Sequence, residues 1–189
     1  MGLLREGINE VIATTRGNAA PMGIIFREGK ITMMVFRGSH TAARLSSDGW
    51  VAANFLFDPV MYVKCAFDDL PATAVTREDV DGIPFERLTG VEAWAGFRAG
   101  VERTTREALL VSLSPVCECI LEPVIHPVNR GFNSIIEATV HATRWSRTHD
   151  PALAQLIWHH AGIIRKCGGT EDLKALSLLV SYLPDLPRE

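Results

Sequence analysis

The sequence predicts an α+β protein, with a mostly antiparallel β-barrel of about six strands over residues 1–125 and a small three-helix domain over 126–189. Three observations predict it. Apolar, β-branched runs of strand length, separated by Gly-containing turns, fill the first two thirds of the chain. The composition then changes at the segment from Pro123 to Pro127. Beyond it, apolar residues recur three and four positions apart, the spacing of one helix face.

Residues 10–16 (EVIATTR) form a strand that stops at Gly17-Asn18, a turn dipeptide. Residues 22–26, the loop Arg27-Glu28-Gly29 and residues 30–36 (KITMMVF) form a hairpin. Arg37-Gly38-Ser39 breaks that strand, and Ser39 is a good N-cap for a short helix over 40–47. Asp48-Gly49 ends the helix, and residues 50–55 (WVAANF) return as a strand. Asp58-Pro59 starts a further turn or short helix. Residues 68–90 hold Pro71, Gly82, Pro84 and several acids, and read as a long irregular loop.

Residues 91–103 are rich in Ala and Gly, which predicts a close-packed or bulged strand. It pairs with 107–121, where Val116, Glu118 and Ile120 alternate with Cys117, Cys119 and Leu121. Helical spacing begins after Asn129-Arg130-Gly131, with Phe132, Ile135, Ile136, Thr139, Val140 and Thr143. Asp150-Pro151 supplies an N-cap and a proline at the first helical position. That helix ends at Cys167-Gly168-Gly169, and Thr170 with Glu171 caps the last one, closed by Pro184.

The 189 residues are 47% hydrophobic and 22% charged, which excludes a disordered chain, a collagen and a coiled coil. A net charge of -3 gives no electrostatic case for nucleic acid. No stretch approaches the ~18 apolar residues of a membrane span. The first nine residues lack the apolar core of a signal peptide, so a cytoplasmic protein is expected. Four cysteines without a CxxC pair read as buried, reduced thiols. No metal site is expected. His159 and His160 are adjacent and diverge on a helix, no HxxxH occurs there, and His141 reads as a helix-surface residue. Glu137 and Arg144 are candidates for a structural ion pair across two turns. No G-x-S-x-G elbow, Walker A loop or G-x-G-x-x-G fingerprint is present.

The segment Arg37-Gly38-Ser39-His40-Thr41 lies where a strand ends and a helix begins. Free amide N–H groups and the positive end of the helix dipole meet there. An Arg and two hydroxyls beside that point make a phosphate pocket. The alternative is that Ser39 only caps the helix and Arg37 is solvated. Ala20-Pro21-Met22-Gly23 is either an edge against which a flat ring lies, or a turn into a strand. Asn54 either hydrogen-bonds a ligand or caps the next turn. Pro127-Val128-Asn129-Arg130-Gly131 offers a second anion contact, or a domain junction pinned by an Asn cap. His126 stands beside it and can stack on or bond a ligand.

Four segments in order, EGINEVIATTRGNAAPMGI, VFRGSHTAARL, WVAANFLFDPVMYV and HPVNRGFNSIIEATVHATR, resemble domain-of-unknown-function family 447. That family looks like a branch of the FMN-binding split β-barrels, the superfamily of flavin reductases and pyridoxamine-phosphate oxidases. The resemblance implies FMN near the interface of a homodimer, and a flavin-dependent oxidoreductase acting on a small organic substrate. It hints at a pterin-like substrate linked to one-carbon metabolism. A non-catalytic flavin-storage or redox-sensing dimer is the alternative. Arg37, Ser39 and Thr41 match the phosphate-holding positions of such barrels. Met22, Gly23 and Asn54 match the positions around the ring. Asn129 and Arg130 match the family's Asn-Arg motif; the expectation that they contact the cofactor, with His126 beside them, is inferred from their place before a helix N-terminus. No catalytic acid or base stands out, with His126 the best candidate.

Overall fold

A computed structural model describes residues 2–187. The chain opens as a meander of β1 (Gly7–Thr15), β2 (Asn18–Arg27) and β3 (Lys30–Phe36). The turn between β2 and β3 is Glu28-Gly29, with φ of 52° and 75°. Two left-handed residues give the turn type whose twist matches that of the flanking strands. Then follow α1 (His40–Asp48), β4 (Trp50–Phe55) and α2 (Pro59–Phe67). A hairpin of β5 (Val75–Val80) and β6 (Ile83–Leu88) precedes the long pair β7 (Ala93–Thr104) and β8 (Ala108–Ile120). Three helices end the chain: α3 (Arg130–Thr148), α4 (Pro151–Cys167) and α5 (Thr170–Ser181).

Six strands close into an antiparallel barrel in the order β1-β2-β3-β8-β7-β4, as the sequence predicts. Alternation fills its interior. In β3, Ile31, Met33 and Val35 are buried while Lys30, Met34 and Phe36 face outward. They join Val11, Ile24, Val51, Phe97 and Val111 in one core. The expected irregularity of β7 is present, with register shifts at Gly96/Phe97 and Val101/Arg103.

The expected loop over 68–90 is instead mostly the β5–β6 hairpin. Its turn, Asp81-Gly82, has φ of 52° and 72°, again the twist-matched type. Phe85 of β6 is fully buried and meets Trp50 and Trp94 edge to face, at centroid distances of 5.5 and 5.7 Å.

The chain divides into two compact units. The first holds the residues up to Leu56 with Asp69–Val124; the second holds Phe57–Asp68 with the residues from Ile125 onward. A single boundary after residue 125 therefore omits α2. Val63 of α2 is buried among Ile135, Ile157, Ile164 and Leu179, so α2 belongs to the helical core. The hydroxyl of Tyr182 also donates to the Asp68 carboxylate at the end of α2. Asn129 and Asp150 cap α3 and α4 as expected. The start of α5 differs: Thr170 is already helical, Gly169 is the N-cap, and its N–H donates to Asp172 Oδ2 at 2.8 Å. A carboxylate three residues into the helix does the capping in place of the hydroxyl.

Candidate functional site

The corner between β3 and α1 is built by one serine. Ser39 Oγ accepts from Ala42 N–H at 3.1 Å and donates to the Phe36 carbonyl at 2.7 Å. Its N–H also reaches Phe36 O, at 3.0 Å. Those bonds fold the chain back at the strand end and start the helix. They also engage the Ser39 hydroxyl in the cap. The N–H groups of His40 and Thr41 remain without a partner among the described residues, as the first turn of a helix leaves them.

Arg37 stands at the same corner. Its main chain is fixed, with N–H donating to Glu107 O at 2.9 Å. Its side chain is exposed and makes no ion pair among the described residues. Thr41 is buried, and its Oγ1 accepts from Asn18 Nδ2 at 3.0 Å. The corner therefore combines an exposed cation, two free amides and a hydroxyl anchored from below.

Asn18 opens β2, and the pairing of that strand is uneven. β1 pairs with it along residues 18–26, but β3 pairs only with 24–27. Among the described residues, 18–23 thus have no strand on their second side. Pro21 is tolerated in such an uncovered edge because no ladder donor is required of it. Met22 and Gly23 end the uncovered stretch, both half-buried and paired to Val11 and Glu10. Gly23 lies inside a strand that begins at Asn18, so the segment is an edge and not a turn into a strand. The Asn18–Thr41 hydrogen bond ties this edge to the start of α1.

Asn54 does not cap the next turn, and its amide is bonded within the fold. It is fully buried, and Nδ2 donates to Ile12 O at 2.8 Å and to Thr14 Oγ1 at 2.9 Å. Its Oδ1 accepts from Leu88 N–H at 2.7 Å. The amide joins β4 to β1 and to the β5–β6 hairpin. The turn that follows is capped by Asp58, whose Oδ1 accepts from Met61 N–H at 3.0 Å.

His126, Asn129 and Arg130 lie together in the second unit. Asn129 Oδ1 accepts from the N–H groups of Gly131 and Phe132 at 2.7 and 3.2 Å, so the Asn is the helix cap. Arg130 is the exposed first residue of α3. The ring of His126 stacks on Phe57 at 4.4 Å, and Phe57 stacks on Phe132 at 3.9 Å. His141 departs from its reading as a surface residue: it faces His160 across α3 and α4, with centroids 5.5 Å apart. The rings of His159 and His160 meet edge to face, with centroids 5.4 Å apart and planes at 78°. No ion pair joins Glu137 to Arg144 among the described residues.

Sequence reasoning missed Asn18, whose role needs a partner 23 positions away. The four cysteines are unpaired. Burial pushes the Cys65 thiol up to about 12. Burial raises Cys117 as well. No helix is long and apolar enough to cross a membrane among the described residues.

Comparison with known proteins gives the same architecture. The N-terminal domain model of the protein family of unknown function DUF447 matches residues 9–122, and the second DUF447 model matches 129–181. The crystal structure of an FMN-bound DUF447 protein from Methanosarcina mazei is 34% identical, with a TM-score of 0.88, over 94% of this chain and 96% of that one. A protein of Methanocaldococcus jannaschii is 36% identical over 66 residues, which is 33% of this chain and only 34% of that relative's length. A flavin reductase domain protein from Arthrobacter sp. FB24 is more distant, at 14% identity and a TM-score of 0.47, over 63% of this chain and 80% of that one. With both family models matched in order along one barrel and one helical unit, the chain belongs to the DUF447 family.

Proposed function

We propose that this chain binds FMN at the uncovered edge of β2 and uses it as a flavin-dependent oxidoreductase on a small organic substrate. The observation that carries the proposal is the juxtaposition of the free His40 and Thr41 amides at the start of α1 with an uncovered strand edge, joined by the Asn18–Thr41 bond. A dianionic phosphate requires a cation and fixed N–H donors. Arg37 and the amides of His40 and Thr41 would hold it, with Thr41 Oγ1 beside them. Ser39 contributes by shaping the helix start. A planar ring requires an apolar wall and a few main-chain partners. Met22 and the backbone of Gly23 would supply them. FMN in the Methanosarcina mazei relative supports the choice of ligand.

When bound, FMN supplies hydride or single-electron chemistry, and the protein positions and tunes the ring. Asn54 acts one layer below: it fixes β4 against β1, and so fixes the barrel wall behind the edge. A homodimer belongs to the same proposal. Met34 and Phe36, 50% and 56% exposed on the outer face of β3, are suited to an apolar subunit contact.

The test is FMN titration of the purified full-length protein, followed by flavin fluorescence. One FMN per chain is expected. Arg37→Ala combined with Thr41→Ala weakens it at least about tenfold, the loss of one charge-assisted bond at 1.5–3 kcal/mol. Unchanged affinity in a folded double variant overturns the phosphate assignment. Anaerobic addition of a reduced nicotinamide, then of reducible pterins, separates the oxidoreductase from a non-catalytic flavin carrier: loss and return of the yellow colour is expected of the former.

A further inference from the structure

A cluster of metal-ligating side chains lies in the second unit, and none of its members is among the residues assigned to flavin. Glu137 and His141 stand one turn apart on α3, so their side chains share a face. His160 of α4 packs against that face. Its ring stacks on that of His141, with the planes 28° apart. One ligand atom from each of the three residues lies within 4.8 Å of the other two. Nδ1 of His141 and Nδ1 of His160 are both shielded from solvent and form no hydrogen bond. Two neighbouring ring nitrogens without partners are unusual, because a buried polar atom left unpaired is destabilising.

We propose that Glu137, His141 and His160 bind a zinc-class divalent metal ion, with a fourth coordination position left to water. Two imidazole nitrogens and one carboxylate oxygen form a zinc-type donor set, whereas magnesium and calcium require oxygen throughout. Zinc bonds of about 2.0–2.2 Å place tetrahedral ligand atoms roughly 3.4 Å apart. Modest side-chain rotations close that gap from the present separation. Glu137 is exposed and free to swing, while the two helices fix the imidazoles.

The charge environment agrees with the geometry. Burial lowers His141, opposed by the Glu137 carboxylate and assisted by Arg144. Burial also lowers His160, assisted by His141 and His159 and opposed by Glu137. Both rings are therefore held toward the neutral form that ligates metal. The ion would clamp α3 to α4 and keep an exchangeable site on the helical unit. The FMN proposal is argued from barrel residues alone, so either proposal can fail without the other.

The test uses full-length protein freed of metal by a chelator, then titrated with Zn2+ by calorimetry and with Co2+ by visible absorption. One ion per chain is expected, with the d–d bands of a low-coordinate N/O site and no thiolate charge-transfer band. His141→Gln and His160→Gln each weaken Zn2+ binding about a hundredfold or more, since even outer-shell losses weaken metal sites 10–100-fold. His159→Gln leaves it unchanged. Glu137→Gln, at an exposed position, repeats the test should a histidine variant fail to fold. No stoichiometric binding, a cysteine charge-transfer band, or full affinity in the folded His160→Gln and Glu137→Gln variants overturns the assignment.

Discussion

The backbones of Gly131 and Gly168 are in contact: a methyl group on Gly131 would lie 2.4 Å from the Gly168 Cα and 2.7 Å from its nitrogen. The contact joins the first turn of α3 to the C-terminal cap of α4. Backbone atoms cannot rotate aside as a side chain would. Gly131→Ala must therefore push the two helix ends apart, and overpacking of this kind costs about 1–3 kcal/mol. Gly162 is the internal control, because a methyl there meets nothing within 4 Å. Gly162→Ala replaces a poor helix former on the solvent side of α4 and should stabilise by up to about 1 kcal/mol. Urea unfolding midpoints should move in opposite directions for the two variants. Equal midpoints would show that the helix ends yield freely.

Asn54→Ala tests whether the barrel depends on the buried amide. The substitution leaves the Leu88 N–H and the Ile12 carbonyl without their side-chain partner. Each buried group so stranded costs about 1–3 kcal/mol. The expected result is a large drop in the unfolding midpoint. The β5–β6 hairpin should also lose its hold, read as faster amide exchange at Leu88. A variant as stable as the parent, with full FMN affinity, would remove Asn54 from the framework.

The corner from Arg37 to Thr41 was legible because its signals are contiguous: a strand end, a good N-cap and an arginine within five residues. The same holds for the β2–β3 hairpin and for α3 and α4, where caps and spacing agree locally. The β5–β6 hairpin was hidden by its composition. Pro84 and the acids of VTREDV resemble a loop, and only Ile83, Phe85, Glu86 and Leu88 are buried. The Asp81-Gly82 pair between Val80 and Ile83 was nevertheless a hairpin signal. Other features needed long-range information. Asn54 bonds residues 42 and 34 positions away, and α2 joins helices that begin about 60 to 100 residues later. His141 and His160 lie on different helices, so no motif spacing links them.

The cysteines should separate by reactivity. Cys65 is buried in α2, and its thiol is held at about 12, chiefly by burial and then by the Asp58 carboxylate. A raised thiol pKa means less thiolate at a given pH, and only thiolate attacks an alkylating reagent. At pH 8 the thiolate fraction of such a group is about one in ten thousand. Native protein treated with iodoacetamide and mapped by mass spectrometry should leave Cys65 unmodified until denaturant is added. Modification of Cys65 at the rate of Cys167 in the native state would mean that α2 opens readily.

Asn18→Ala separates a positioning residue from a ligand. Asn18 reaches Thr41 from the start of the uncovered edge, and the alanine removes that one bond while leaving Arg37 and the helix amides in place. A single net hydrogen bond contributes about 0.5–1.5 kcal/mol, so FMN affinity should fall about two- to tenfold. The loss should be smaller than that of Arg37→Ala combined with Thr41→Ala. It should vanish when Asn18→Ala is measured in a Thr41→Val background, because the partner oxygen is then already gone. Additive losses in that double-mutant cycle would show that Asn18 and Thr41 act independently, and that the edge and the helix start do not form one site.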